Sequence, residues 1–237
     1  MSLLQVINVS KKFGGLSANE AVTFSVGEAQ VVGLIGPNGA GKTTLFNCVA
    51  GYFPPSSGSI LLKGREMAGL GPEQSARAGI ARTFQIARTF GSMTACENVL
   101  TGALLVNRSV SRARVAALHW LRFVHLEGQA DKPAATMTIS EQRRLAVARA
   151  LAIEPRILLM DEVMAGLNPS EVREAVEVVL SIRRLGIATL IVEHVLEGIM
   201  PIADKIVVLD RGCKIADGTP AEVSQNPLVI AAYLGDE

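Results

Sequence analysis

Hydrophobic and polar positions follow two rhythms along this chain, and the changes of rhythm mark its elements. LLQVINV (3–9) and AVTFSV (21–26) carry strand-like runs, and QVVGLIG (30–36) is an almost wholly apolar strand entering a glycine-rich loop. From Lys42 to Ala50 the rhythm turns helical. GSILLKGREM (58–67) then predicts another strand and turn, set off by Pro54, Pro55 and Gly58. The stretch from 88 to about 135 has a different texture: SRARVAALHWLRFVHL predicts a helix with Val115, Leu118 and Leu121 along one face. It belongs to a helical subdomain expected over residues 88–150, inside a single domain spanning 1–237.

A helix is expected from Ser140 to about Ala152, followed by the apolar strand Ile157–Met160. Asn168 and Pro169 suit the cap and first turn of a helix whose apolar stripe is Val172, Ala175, Val176, Val179 and Leu180. ATLIV (188–192) is a buried strand, and KIVVLDRGCKIADG (205–218) reads as two strands around a turn at Asp210–Gly212. Strands alternating with helices imply an α/β fold with a mainly parallel sheet and antiparallel additions at each end of the chain.

Composition narrows the function. A net charge of +1 over 237 residues gives no electrostatic footprint for nucleic acid and no polybasic membrane anchor. Mean hydropathy is positive, at +0.34. No apolar run approaches the roughly 18 residues of a spanning helix, and the first residues lack the pattern of a secretory signal, so the apolar excess predicts a large core or a surface for a partner. Cys48, Cys96 and Cys213 are widely separated and not in metal-ligand spacing, which predicts reduced, buried thiols in a cytoplasmic protein.

The strongest chemical signal is GPNGAGKTT, comprising Gly36, Pro37, Asn38, Gly39, Ala40, Gly41, Lys42, Thr43 and Thr44. It matches a P-loop in full, between a predicted strand and a predicted helix. Glycines let backbone N–H groups converge on phosphate, and the helix adds its positive N-terminal dipole. Lys42 is expected to neutralise the β and γ phosphates, and the Thr43 hydroxyl to ligate Mg²⁺, so a nucleoside triphosphate and Mg²⁺ are the expected ligands. ILLMDE places Asp161 and Glu162 at a strand exit, where Asp161 suits Mg²⁺ through a water and Glu162 suits the attacking water. His194 closes the next strand, within reach of the same chemistry, whereas His119 and His125 are expected to be structural. Gln85, in RTFQIARTF, is a neutral group suited to metal or water.

Together these residues resemble the ATP-binding subunits of ABC transporters over nearly the whole chain. The resemblance makes Gln85 the Q-loop glutamine, Asp161 and Glu162 the Walker B pair, Ala165, Gly166, Leu167 and Asn168 the D-loop, and His194 the switch histidine. Phe13 stands where the family stacks an aromatic on adenine, although core packing of a hairpin is an equal reading of this residue. FGGLSA, GIARTFQ, AGLNP and VIAAYLGDE are similar to the ATPases of branched-chain amino acid importers, with importers of urea or other small solutes close by. The resemblance implies a P-loop core with an antiparallel β-subdomain and a helical subdomain. It also implies a head-to-tail dimer with a second, identical or different, ATPase subunit, attached to membrane permease subunits at the inner face of the cell membrane. An external solute-binding protein is implied indirectly. Val163 replaces the usual proline, Val195 replaces the usual aspartate, and the segment between Leu105 and Ala135 is short.

The signature loop departs furthest from that pattern. Met137, Thr138, Ile139, Ser140 and Glu141 stand where the family has a leucine, a serine, two glycines and a glutamine. Thr138 retains a hydroxyl for the partner subunit's ATP, and Ser140 retains a backbone N–H. A functional but weakened loop is expected, the alternative being a nucleotide-gated subunit with weak or partner-dependent hydrolysis.

Overall fold

The computed structural model describes residues 2–83 and 89–234. The chain opens with a long antiparallel hairpin, β1 (Ser2–Phe13) and β2 (Leu16–Gly27), and then enters β3 (Val31–Ile35). After β3 come the P-loop, α1 (Lys42–Val49), the short strands β4 (Ser57–Leu62) and β5 (Arg65–Glu66), α2 (Pro72–Ala78) and β6 (Ile80–Arg82). Three helices follow, α3 (Ala95–Ala103), α4 (Val110–Phe123) and α5 (Ile139–Leu151). The chain then returns through β7 (Ile157–Asp161), α6 (Pro169–Arg184), β8 (Ala188–Val192), α7 (Leu196–Ile199) and the hairpin β9 (Lys205–Asp210) and β10 (Cys213–Gly218). It finishes with α8 (Pro220–Ser224) and α9 (Pro227–Leu234).

The strands form two sheets. One is antiparallel, in the order β2-β1-β4-β5; the other runs β10-β9-β3-β8-β7-β6, parallel except for β10. Both faces of the parallel sheet are covered, which explains why its central strands are apolar throughout instead of alternating. Val31, Ile35, Leu158, Met160, Ile191, Ile206 and Val208 face one core, shared with the α3–α6 helices. Their alternates Val32, Leu34, Ile157, Leu159, Leu190, Val207 and Leu209 face the other, shared with β1, β2 and α1. Because the five parallel strands point the same way, the C-terminal ends of β3, β6, β7 and β8 gather at one edge. This edge carries the P-loop, Thr83, Asp161–Glu162 and Glu193–His194.

Two expectations need correcting. On α4, Ala113, Ala117 and Leu121 are buried, whereas Val115 and Leu118 are exposed. Small side chains fill the inner face of α4, and in the same helical layer α3 and α5 approach so closely that a Cβ on Gly102 would lie 2.5 Å from the Arg149 carbonyl. On α6 the expected stripe packs on the core, with Val179 buried and Val172, Ala175, Val176 and Leu180 partly covered, and Val178 and Ile182 extend the buried face. Cys48 and Cys96 are buried as expected, but Cys213 is exposed. Among the described residues, no helix is long and apolar enough to cross a membrane.

Candidate nucleotide site

The loop between β3 and α1 takes its shape from backbone constraints that only glycine meets. Gly36 has φ +146°, and a Cβ there would lie 2.0 Å from the Leu209 carbonyl oxygen of β9. Gly41, the residue before α1, has φ +91°, and a Cβ would approach the Ala18 carbonyl to 2.4 Å. The fully buried Asn19 fixes that end of the loop by donating from Nδ2 to the Gly41 carbonyl at 3.1 Å. On the other side, Gly212 in the β9–β10 turn donates to the Ala40 carbonyl and accepts from the Glu20 N–H. The P-loop is thus braced by the β1–β2 hairpin and by the turn after β9. Lys42 folds back along it, donating to the carbonyls of Gly36 (2.7 Å) and Pro37 (2.8 Å). Burial lowers the Lys42 pKa, with the nearby charge of Glu162 acting in the opposite sense.

A cleft of about 590 Å³ opens over this loop, lined by Asn38, Gly39, Ala40, Gly41, Lys42, Thr43, Thr44 and Glu162, and by Phe13, Leu16, Ser17 and Ala18 of the hairpin. Phe13 is 43% exposed at the end of β1 and sits on the cleft wall, in edge contact with Phe53. Phe13 is therefore not a core residue. Arg211 and Gly212 complete the wall. Sequence reading missed them because a turn far along the chain carries no phosphate-binding signature; only the pairing of β9 with β3 brings it here.

Asp161 ends β7 and is almost fully buried. Its Oδ2 accepts from Arg82 Nη2 at 3.0 Å, and its backbone N–H approaches the Thr83 hydroxyl at 3.4 Å. Burial raises the Asp161 pKa, and the Arg82 charge counteracts it. Glu162 has φ +49°, unusual for a residue with a side chain, and is held there by its N–H bond to the Val192 carbonyl at 2.8 Å. Its Oε1 lies 3.7 Å from His194 Nδ1, close enough for a bridging water and too far for a direct hydrogen bond. Between the two strand exits, fully buried Glu193 accepts the Met164 N–H at 2.7 Å and so ties the segment after Glu162 to the histidine. Burial raises its pKa. Gln85 lies outside the described residues.

The donor set fits a hard divalent cation. Thr43 and Asp161 both offer oxygen. This suits Mg²⁺, which is commonly shared between one or two protein oxygens, phosphate and water.

The remaining predicted residues form a second location. Thr138 caps α5 with its hydroxyl accepting the Glu141 N–H, while Glu141 accepts the Thr138 N–H at 2.8 Å. Burial would raise the Glu141 pKa, but hydrogen bonds from Gln129, the Thr138 N–H and Lys132 hold it down to about 2. Ile139 projects outward, 71% exposed, whereas Met137 and Ser140 are buried. Ser140 and Val163, both departures from the family pattern, line one cavity of about 30 Å³ between α5 and α6. The D-loop is a turn, with Gly166 at φ +69° and Asn168 capping α6 through the N–H groups of Ser170 and Glu171. Among the described residues, none of Met137–Glu141 lines the P-loop cleft.

Comparison with known proteins decides the family. The sequence pattern described as ABC transporter matches residues 19–165. The chain belongs to the ATP-binding proteins of ABC transporters. Residues 213–237 of this ABC protein also match the pattern described as branched-chain amino acid ATP-binding cassette transporter. The chain is 42% identical to the high-affinity branched-chain amino acid transport ATP-binding protein BraF of Pseudomonas aeruginosa, covering 99% of this chain and 98% of that protein. It is 41% identical to LivG of Escherichia coli, with the same coverage. In three dimensions it resembles the crystal structure of a nucleotide-free ATP-binding cassette from an ABC transporter, with TM-score 0.91 and 28% identity over all of both chains. The fold is accordingly the ABC ATPase fold, and the chain is an ABC ATPase that hydrolyses ATP to power transport.

Proposed function

We propose that this chain is the energy-coupling ATPase of an importer for branched-chain or other hydrophobic amino acids. The observation that carries the reading is the match to BraF and LivG along the full length, including the C-terminal segment 213–237. In this reading the P-loop grips the ATP phosphates with its backbone N–H groups and Lys42, and Phe13 stacks on the base. Thr43, Asp161 through a water, and Gln85 would hold Mg²⁺. When bound, the metal offsets negative charge on the phosphoryl group being transferred. Glu162 takes a proton from the attacking water, and His194 steadies that water or the γ-phosphate.

The outward-facing capped start of α5 serves a second ATPase subunit: Thr138 and the α5 N-terminus meet the ATP held by the partner's P-loop, with the D-loop beside them. Support comes from the separation of this loop from the chain's own cleft and from the exposure of its tip. Exposed Leu104, Leu105 and Val106 after α3 support docking of the helical subdomain on membrane permease subunits, with the chain peripheral on the inner membrane face. Disrupting the gene in its host is expected to abolish energy-dependent uptake of radiolabelled leucine, isoleucine and valine while sparing urea. Loss of urea uptake with leucine uptake intact would overturn the amino acid reading.

The altered signature tip bears on turnover. Removing a transition-state donor outright costs about 100- to 1,000-fold in rate. Here the Thr138 cap is intact and Ser140 is turned inward, so the loss is smaller. An Ile139→Gly/Ser140→Gly double variant is expected to raise ATPase activity of the assembled transporter by about threefold to tenfold. A gain of about a hundredfold would instead mark the native loop as disabled.

A further inference from the structure

We propose that Arg82 is the positioning residue for Asp161, fixing the orientation in which that carboxylate meets Mg²⁺; this rests on the assignment of Asp161 to the metal site made above. Arg82 ends β6, in register with Leu159, two residues before Asp161 on the neighbouring strand. Its guanidinium uses its two arms on two elements. Nη2 donates to Asp161 Oδ2 at 3.0 Å, and Nη1 donates to Asn47 Oδ1 on α1, the helix that begins with Lys42 and Thr43. The planar group is also packed between two rings: its Cζ lies 4.9 Å from the Phe46 centroid and 4.9 Å from the Tyr52 centroid. Both side chains of the ion pair are nearly inaccessible, 12% for Arg82 and 5% for Asp161.

These contacts make a clamp. Phe46 and Asn47 are adjacent on α1, so the helix bearing the metal-binding hydroxyl also holds the cation that turns the carboxylate. Holding Oδ2 leaves Oδ1 as the oxygen available to the metal's water. The distance between Thr43 and Asp161 is then set through a chain of α1, Asn47, Arg82 and Asp161. Lysine lacks the planar fork needed to serve both oxygens at once.

The test uses the purified full-length protein and calorimetric ATP binding with Mg²⁺ and with a chelator. Losing a group that orients a metal-binding side chain costs about 10- to 100-fold in metal affinity. Arg82→Met is therefore expected to reduce the Mg²⁺-dependent gain in ATP affinity about tenfold, leaving chelator-measured ATP affinity within about twofold. Arg82→Lys should not restore the gain. Asn47→Ala keeps the ion pair and removes only the anchor, so it remains informative if Arg82→Met folds poorly. It should give about a threefold loss, and the two changes together should be no worse than Arg82→Met alone, as expected for one coupled unit. An Mg²⁺ effect unchanged or enlarged in both single variants would overturn the proposal. If chelator-measured ATP binding vanished as well, the nucleotide site itself would be at fault.

Discussion

Replacing Glu162 with glutamine will lower steady-state ATP hydrolysis by about 100- to 10,000-fold, the range supplied by a positioned general base. ATP binding will change little, because glutamine has nearly the same volume and removes only the proton acceptor. The geometry explains why Glu162 should dominate. Its backbone is held at φ +49° by the bond to the Val192 carbonyl, a conformation that costs about 1–3 kcal/mol for a residue with a side chain. Such a conformation survives only when its surroundings impose it, and here they aim the carboxylate into the cleft that contains Lys42 and Thr43. If hydrolysis separates the two ATPase subunits, the variant should also elute as an ATP-dependent dimer in size-exclusion chromatography while the wild type does not. A rate within threefold of wild type would move the base function elsewhere, with His194, 3.7 Å from Glu162, the first place to look.

Much of this site is legible in the sequence because local backbone chemistry produces it. A P-loop needs glycine at fixed spacings next to a strand and a helix, and these constraints write themselves into nine consecutive residues. Asp161, Glu162 and His194 could be placed because an apolar run ending in a charged residue marks the exit of a buried parallel strand. What remained hidden depends on sheet order. β8 pairs with β7, which sets the 3.7 Å separation of Glu162 and His194 and lets buried Glu193 accept the Met164 N–H. Arg82 looks like an ordinary charged residue before a loop until β6 pairs with β7. The β9–β10 turn reaches the nucleotide cleft only through the pairing of β9 with β3.

The helical subdomain was read less well, for a physical reason. On α4, hydrophobicity alone chose Val115, Leu118 and Leu121, but of these only Leu121 lies in the interior, together with the small residues Ala113 and Ala117. The larger side chains Val115 and Leu118 were left outside. Periodicity predicts a face; packing distance decides which face is buried. The signature loop shows the reverse case. Its family spelling is lost at Ile139 and Ser140, yet Thr138 and Glu141 still make a reciprocal cap three residues apart, so the structure kept the part of the motif that a helix start requires.

The largest loss of stability is expected from Gly36→Ala. A methyl group there would stand 2.0 Å from the Leu209 carbonyl oxygen and 3.3 Å from the Ala40 Cβ, and neither can rotate away because both belong to braced backbone. Relief requires the P-loop to lift from β9, which would pull the Gly36 and Pro37 carbonyls away from Lys42 and break the link from Gly212 to Ala40. Overpacking and an unfavourable φ together should cost about 3 kcal/mol. For a chain of this length that corresponds to a fall of about 6–12 °C in Tm. ATP affinity should fall at least about a hundredfold, since the phosphate-binding N–H groups move with the loop. Gly64→Ala is the comparison without a clash: its φ of +78°, close to the left-handed helical region, is milder than +146°, and no atom lies within 4 Å of the new methyl. That variant should lose only about 1 kcal/mol and keep full ATP binding. Equal losses in the two proteins would mean that backbone conformation, and not the contact with β9, makes glycine necessary at the start of the P-loop.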